Sequence, residues 1–224
     1  MNIYFIRHGE PDYDTDSLTE NGHKQAAILA ERVKDFPIDE FFHSPMGRAR
    51  QTAEYCNKYF GYKMTELPWI KEIEWGDLSG DAYSSDGPWC IAEDMIKNEH
   101  AYPKGDDWKK EPRLLEDRLV GDIENRIKAF DSFLSGYGYE REGQLYRITK
   151  ENKSSIAFFC HGGLTSALVS HLLNIPFWSF IVHFPMEMTG ITKLCISGKP
   201  GTYAAAEADF INSYTHLGTS MLNG

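Results

Sequence analysis

In the stretch Asn2-Ile3-Tyr4-Phe5-Ile6-Arg7-His8-Gly9-Glu10, four apolar residues run directly into an arginine, a histidine and a glycine. A short apolar run of this kind predicts a central strand buried on both faces, ending at Arg7-His8-Gly9. The same pattern returns much later. Ser155-Ile156-Ala157-Phe158-Phe159-Cys160 is again β-branched and aromatic, and His161-Gly162-Gly163 follows it at the opening of a helix to about Leu173. Two buried strands thus end in a histidine next to glycine.

The surrounding chain alternates strand and helix signals. Thr19 is a candidate N-cap for a helix carrying Ala26, Leu29, Ala30 and Val33 at helical spacing, closed by Phe36-Pro37. Phe41-Phe42-His43 reads as a second strand, Ser44-Pro45 as a helix entry, and the helix runs to about Tyr59. Lys63 to Leu67 is a further strand candidate. A long helix is expected over about Leu115 to Leu134 from Leu119, Ile123, Ile127, Phe130 and Leu134. Ile191 to Ile196 and Tyr203 to Ala206 read as the last strands. The expected fold is therefore α/β, a three-layer sandwich with a mostly parallel central sheet and helices on both faces. From about 81 to 114 the pattern loosens, with one short helical candidate at Ile91 to Asn98. We read one domain over 1–224 with an inserted cap at about 81–114.

Composition narrows the function. The chain has 224 residues, 42% hydrophobic and 25% charged, with a formal net charge of −10. That balance argues against a broad phosphate-backbone surface and so against a nucleic-acid partner. It leaves room for a small anion pocket, where two or three converging arginines dominate locally. The four cysteines, Cys56, Cys90, Cys160 and Cys195, form no CxxC pair, so reduced structural thiols are expected rather than zinc ligands or disulfides. The apolar start is too short for a signal peptide and no run approaches the roughly 18 residues of a membrane span. No membrane partner and a cytoplasmic location are the expectations. The chain carries no readable sign of its oligomeric state.

Ligands of open α/β sheets bind at the carboxyl ends of strands, where His8 and His161 are expected. Taken singly, each candidate has a plain structural reading: a histidine at a strand end, a turn glycine, an arginine on a solvated helix face. Together, Arg7, His8, Arg48, His161 and the helix N-terminus at Gly162 are what a phosphoryl group needs. Arginines neutralise its oxygens, backbone N–H groups cradle it, and an imidazole nitrogen can attack phosphorus in line.

The chain resembles the histidine phosphatase superfamily, the phosphoglycerate-mutase-like proteins. The resemblance runs through Arg7-His8-Gly9-Glu10, Leu18-Thr19-Glu20-Asn21-Gly22, Ser44-Pro45-Met46-Gly47-Arg48-Ala49-Arg50, Glu72-Ile73-Glu74-Trp75-Gly76-Asp77-Leu78-Ser79-Gly80 and Cys160-His161-Gly162-Gly163. It implies that Arg7 and Arg48 hold phosphate, that His8 becomes phosphohistidine, and that His161 contacts the transferring group. It also implies that Glu72 is the proton donor. The chemistry separately asks for such a group, since an alkoxide leaving group needs a proton. Glu74 is the nearby rival. Glu10 is expected to orient Arg7 or cap a turn.

The implied activity is that of a histidine acid phosphatase-type phosphoric monoester hydrolase acting on a small phosphorylated substrate, with no metal and no cofactor. Two departures bear on this. Asp14 stands where many relatives carry an asparagine six residues after the histidine, so its carboxylate either points away from phosphate or changes the substrate. The stretch between His8 and Leu18 is short, which favours hydrolysis over phosphoglycerate mutase or sugar-bisphosphate phosphatase activity. A phosphate-binding protein without turnover is the alternative from another class. Trp75, Tyr83, Trp89, Tyr102 and Trp108 form either an aromatic lid over a substrate's organic part or the insertion's own small core. His183 is a further candidate to approach the pocket, while His43, His171 and His216 have no partner assignable from sequence.

Overall fold

The computed structural model describes residues 1–218; residues 219–224 of the expected domain lie outside them. In chain order the strands are β1 (Asn2–Arg7), β2 (Pro11–Asp12), β3 (Ser17–Leu18), β4 (Glu40–His43), β5 (Met64–Glu66), β6 (Tyr139–Glu142), β7 (Leu145–Ile148), β8 (Ser155–Cys160), β9 (Ile191–Ile196), β10 (Tyr203–Ala204) and β11 (Ala206–Ser213). The helices are α1 (Glu20–Val33), α2 (Gly47–Asn57), α3 (Pro88–Asp94), α4 (Leu119–Gly136), α5 (Gly162–Leu173) and α6 (Phe177–His183).

The central sheet runs β11-β9-β1-β8-β4-β5. The β1/β8, β8/β4 and β4/β5 pairs are parallel, and β9 and β11 close one side antiparallel. The apolar strands supply both cores through their period of two. Ile3, Phe5, Ile156 and Phe158 face the side covered by α4, α5 and α6. Tyr4, Ile6, Ala157 and Phe159 face the side covered by α1 and α2. Burial on both faces explains why these strands read as unbroken apolar runs.

The register of β1 on β8 pairs Arg7 with Cys160. The next residue on each strand is therefore His8 and His161, which fall side by side where the sheet ends. The amide of His8 still donates to Cys160 O at 3.1 Å, holding that alignment one residue past the strand. Thr19 caps α1 as expected, accepting from Gly22 N at 3.0 Å. Gly22 in the first turn lies so close to the strand-end loop that a Cβ there would sit 2.1 Å from Glu10 O. The backbones meet only because that side chain is absent.

Several boundaries differ from the sequence reading. The long helix starts at Leu119 rather than Leu115, because Asp117 Oδ1 accepts the Leu119 amide at 2.8 Å and residues Pro112–Leu114 form a tight 3₁₀ turn instead. The strand expected at Tyr203 to Ala206 divides. β10 joins β6 and β7 in a separate three-stranded sheet, and β11 becomes the edge of the main one. The β6–β7 hairpin and α6 have no counterpart in the sequence reading. Within 81–114, α3 passes into a π turn (Met95–Glu99) and a 3₁₀ turn (Gly105–Lys110). Ile91, Ala92, Met95, Trp108 and Leu114 of this segment are buried in the same core as α4 and α5.

Candidate active site

A cavity of about 940 Å³ opens at the carboxyl ends of β1 and β8, and Arg7, His8, Arg48, Glu72 and Gly162 all line it. His161 is fully buried behind it, its ring centroid 5.1 Å from that of His8. β4 pairs beside β8, so the turn after His43 carries Ser44 and the first residues of α2 to the same rim. Arg48, in the first turn of α2, is 5% exposed.

Hydrogen bonds fix the tautomer of His8 and hold His161 against Ser44. The Nδ1 of His8 lies 2.7 Å from Gly9 O. A carbonyl can only accept, so Nδ1 carries the proton and Nε2 keeps its lone pair. That lone pair faces Arg48, whose Nε donates to it at 3.2 Å. Burial, then the charge of Arg7, pull the His8 imidazole down to about 3, so it is neutral at ordinary pH. Ser44 Oγ accepts from Met46 N at 3.2 Å and lies 2.8 Å from His161 Nε2. With the hydroxyl proton directed to Nε2, the proton of neutral His161 sits on Nδ1. Burial first, and then the charges of His8 and the arginines, hold this imidazole well below its usual range.

Among the described residues, His161 Nδ1 and Arg7 Nε are buried without a hydrogen-bond partner. Both are donors in this arrangement, and buried donors are seldom left unpaired. An anion at the strand ends would satisfy both. Arg7 is anchored through Nη1 to Met186 O. Its guanidinium lies against Gly162, where a Cβ would meet Arg7 Cζ at 3.3 Å.

Glu72 reaches α5 from the opposite wall. Its carboxylate accepts from Leu164 N at 2.8 Å, Gly163 N at 3.2 Å and its own neighbour Ile73 N at 2.9 Å. Burial raises its pKa above the ordinary carboxylate range, against these backbone donors and the charge of Arg7, which pull it down. Gly163 permits the contact, since a Cβ there would stand 2.8 Å from Glu72 Oε1. The buried guanidinium of Arg126 on α4 holds Trp69 O and Glu72 O at 2.7 and 3.3 Å, fixing the segment's backbone. Glu74 is not part of the cavity wall. It pairs with Lys71 and lies 3.8 Å from Arg118, and the bond from Lys71 keeps its pKa low.

The remaining sequence candidates separate clearly. Glu10 accepts from Thr19 Oγ1 and Asn21 Nδ2, both at 2.7 Å, and so ties the strand-end loop to α1. Asp14 is exposed and outside the cavity. Trp75, Tyr83 and Trp89 line the cavity. Trp108 does not: it is 2% exposed and packs on Phe177 and Trp178. Tyr102 also stays away, its hydroxyl 2.9 Å from His183 Nε2, so neither Tyr102 nor His183 reaches the site. His43, His171 and His216 are satisfied elsewhere, by Ser44 O, Asp131 and Thr189 respectively.

Asp16 is the main residue that sequence reasoning missed. Its carboxylate accepts from Arg48 Nη1 at 2.5 Å and from Gly47 N at 2.7 Å. It thereby caps α2, whose own N-cap, Met46, provides no side-chain acceptor. Asp16 adopts φ +49°, a left-handed conformation that Asp tolerates better than most residues. A short polar residue in the loop between β2 and β3 was its only sequence signal.

Residues 3–130 match the model of the histidine phosphatase superfamily (branch 1). The chain belongs to that superfamily. A probable phosphoglycerate mutase of Erwinia tasmaniensis is 31% identical over 186 residues, covering 79% of this chain and 76% of that protein. An uncharacterised phosphatase of Bacillus subtilis is 34% identical over 87 residues, 35% of this chain and 45% of its own length. The chain thus spans less than half the length of some of the relatives it matches. Among solved structures, mycobacterial glucosyl-3-phosphoglycerate phosphatase superposes with a TM-score of 0.65 at 21% identity, over 95% of this chain and 98% of that one. Phosphoserine phosphatase from Entamoeba histolytica gives 0.63 at 19% identity, over 96% and 98%. These likenesses fix the fold as that of histidine phosphatases. Among the described residues, no single helix is long and apolar enough to cross a membrane.

Proposed function

We propose that this histidine phosphatase superfamily member is a metal-independent phosphomonoesterase that works through a phosphohistidine on His8. The observation that carries the reading is one cavity holding a neutral imidazole whose unprotonated Nε2 is turned to Arg48, two arginines, and a carboxyl group whose pKa burial raises. Phosphate oxygens lie between Arg7, Arg48, His161 Nδ1–H and the backbone at Gly162. His8 Nε2 attacks phosphorus, a P–N bond forms, and the P–O bond to the alcohol breaks. The departing oxygen takes the Glu72 proton. The Glu72 carboxylate then takes a proton from water, whose oxygen attacks phosphorus. The P–N bond breaks, releasing inorganic phosphate and restoring both residues. The fixed guanidinium groups supply the charge stabilisation. We assign the 81–114 segment as a cap on this single domain, and the four free thiols fit a reducing, cytoplasmic setting.

The test is turnover of para-nitrophenyl phosphate in EDTA by the wild type and by His8→Ala. Loss of about 10⁴-fold or more is expected on removing the nucleophile. Retained turnover in the variant refutes the mechanism. An acid-labile phosphate on His8 that persists until an acceptor is added, with 2,3-bisphosphoglycerate as donor, would indicate a mutase instead.

A further inference from the structure

We infer that the ester hydrolysed is that of an aromatic or apolar alcohol bearing no second negative charge, a specificity that rests on the phosphomonoesterase reading and extends it. The argument starts from what remains of the cavity once phosphate is placed. Beyond the strand ends its wall includes Trp75, Tyr83 and Trp89 together with Met46, Ile181 and Met186. The three aromatic rings are fixed edge to face, Trp75 with Tyr83 at 4.6 Å and 76°, and Trp75 with Trp89 at 5.7 Å and 81°. Such pairs hold a rigid apolar surface at little entropic expense. Trp89 and Tyr83 are still 38% and 43% exposed, so each keeps area for a ligand to cover.

Charge excludes the alternatives. Among the described residues, Arg7 and Arg48 are the only arginines lining the cavity, and no lysine lines it. Arg7 is held by Met186 O and Arg48 by Asp16, and both serve the phosphate end. The acids on the wall are Asp16, Glu72 and Glu187. A carboxylate or second phosphate on the leaving group therefore finds no cation beyond the two arginines that hold the phosphate, and shares the cavity with Glu187. Leaving a charge desolvated and unpaired is strongly unfavourable. An aromatic or alkyl group at the same place gains contact with the tryptophans.

The experiment compares esters with equally poor leaving groups, so that intrinsic reactivity does not decide the result. With the wild-type enzyme, kcat/KM for 2-phenylethyl phosphate is expected to exceed that for 3-phosphoglycerate and for fructose 1,6-bisphosphate by about 100-fold. A parallel arm measures binding of 2-phenylethyl phosphate and 3-phosphoglycerate to His8→Ala by calorimetry, which needs no turnover. At least about tenfold tighter binding of the phenylethyl ester is expected there. Comparable values for the two esters, or a preference for 3-phosphoglycerate, in either arm overturn the inference, whether or not His8 proves to be the nucleophile. Absence of hydrolysis of every ester, with the binding preference intact, defeats the phosphatase mechanism and leaves the ligand class standing.

Discussion

The two ends of the cavity are built in opposite ways. At the phosphate end, His8, His161 and Gly162 follow directly from the buried strands β1 and β8, whose register aligns them. Arg48 sits at the start of α2, and the polar groups are held by neighbours, apart from Arg7 Nε and His161 Nδ1, which are buried without a partner. At the other end, Trp75, Tyr83 and, on the short helix α3, Trp89 come from the segment between β5 and α4, held by ring–ring packing. The first end is set by sheet geometry, since strand register fixes where its side chains start. The second is set by surface packing and is free to vary without disturbing the chemistry.

That contrast can be broken from either side. The largest effect within the aromatic set is expected from Trp108→Ala, because Trp108 belongs to the core and not to the substrate wall. About 3–5 kcal/mol of stability should be lost, read by denaturant unfolding. A Trp108→Ala protein that keeps its stability but loses affinity for aromatic esters would show the tryptophan moving into the cavity.

Next comes Glu72→Gln at the phosphate end, expected to lower kcat by about 10²–10³-fold for alkyl esters and less for para-nitrophenyl phosphate, whose leaving group needs little protonation. The pH profile carries the sign. The free enzyme needs His8 unprotonated, which holds above about 3, and Glu72 protonated, which holds up to its raised pKa. Activity should therefore fall as pH rises through the Glu72 value, and Glu72→Gln should flatten that basic limb. An unchanged limb would move the proton donor elsewhere.

The smallest effect is Trp89→Ala, expected to raise KM for 2-phenylethyl phosphate about tenfold with kcat nearly kept, as uniform binding is lost. A fall in kcat instead would mean that the aromatic end positions the reacting atoms, and the division between the two ends would dissolve.

Much of the fold was legible because its central strands are buried on both faces and so read as unbroken apolar runs. The β6–β7 hairpin was not, because Glu140, Arg141, Glu142 and Arg147 hide the strand signal. Arg147 pairs across the hairpin with both Glu140 and Glu142, while Arg141 reaches His171 O and Asn174. Seven residues of α6 between Pro176 and Pro185 form an apolar run too short for periodicity to separate helix from strand. In the site, the motif residues were legible because strand ends and helix starts are local features. Asp16, Arg126 and Met186 were not, since each acts through a partner 32 or more residues away.

By itself, then, the sequence determined the strand ends, the pair of histidines, the arginines and Glu72, because apolar runs and turn glycines dictate local conformation wherever they occur. Only the tertiary structure decided which imidazole nitrogen lacks a proton, which carboxyl has its pKa raised by burial, and which tryptophans line the cavity rather than the core. Those properties depend on desolvation and on neighbours distant in the chain, and no local pattern encodes them.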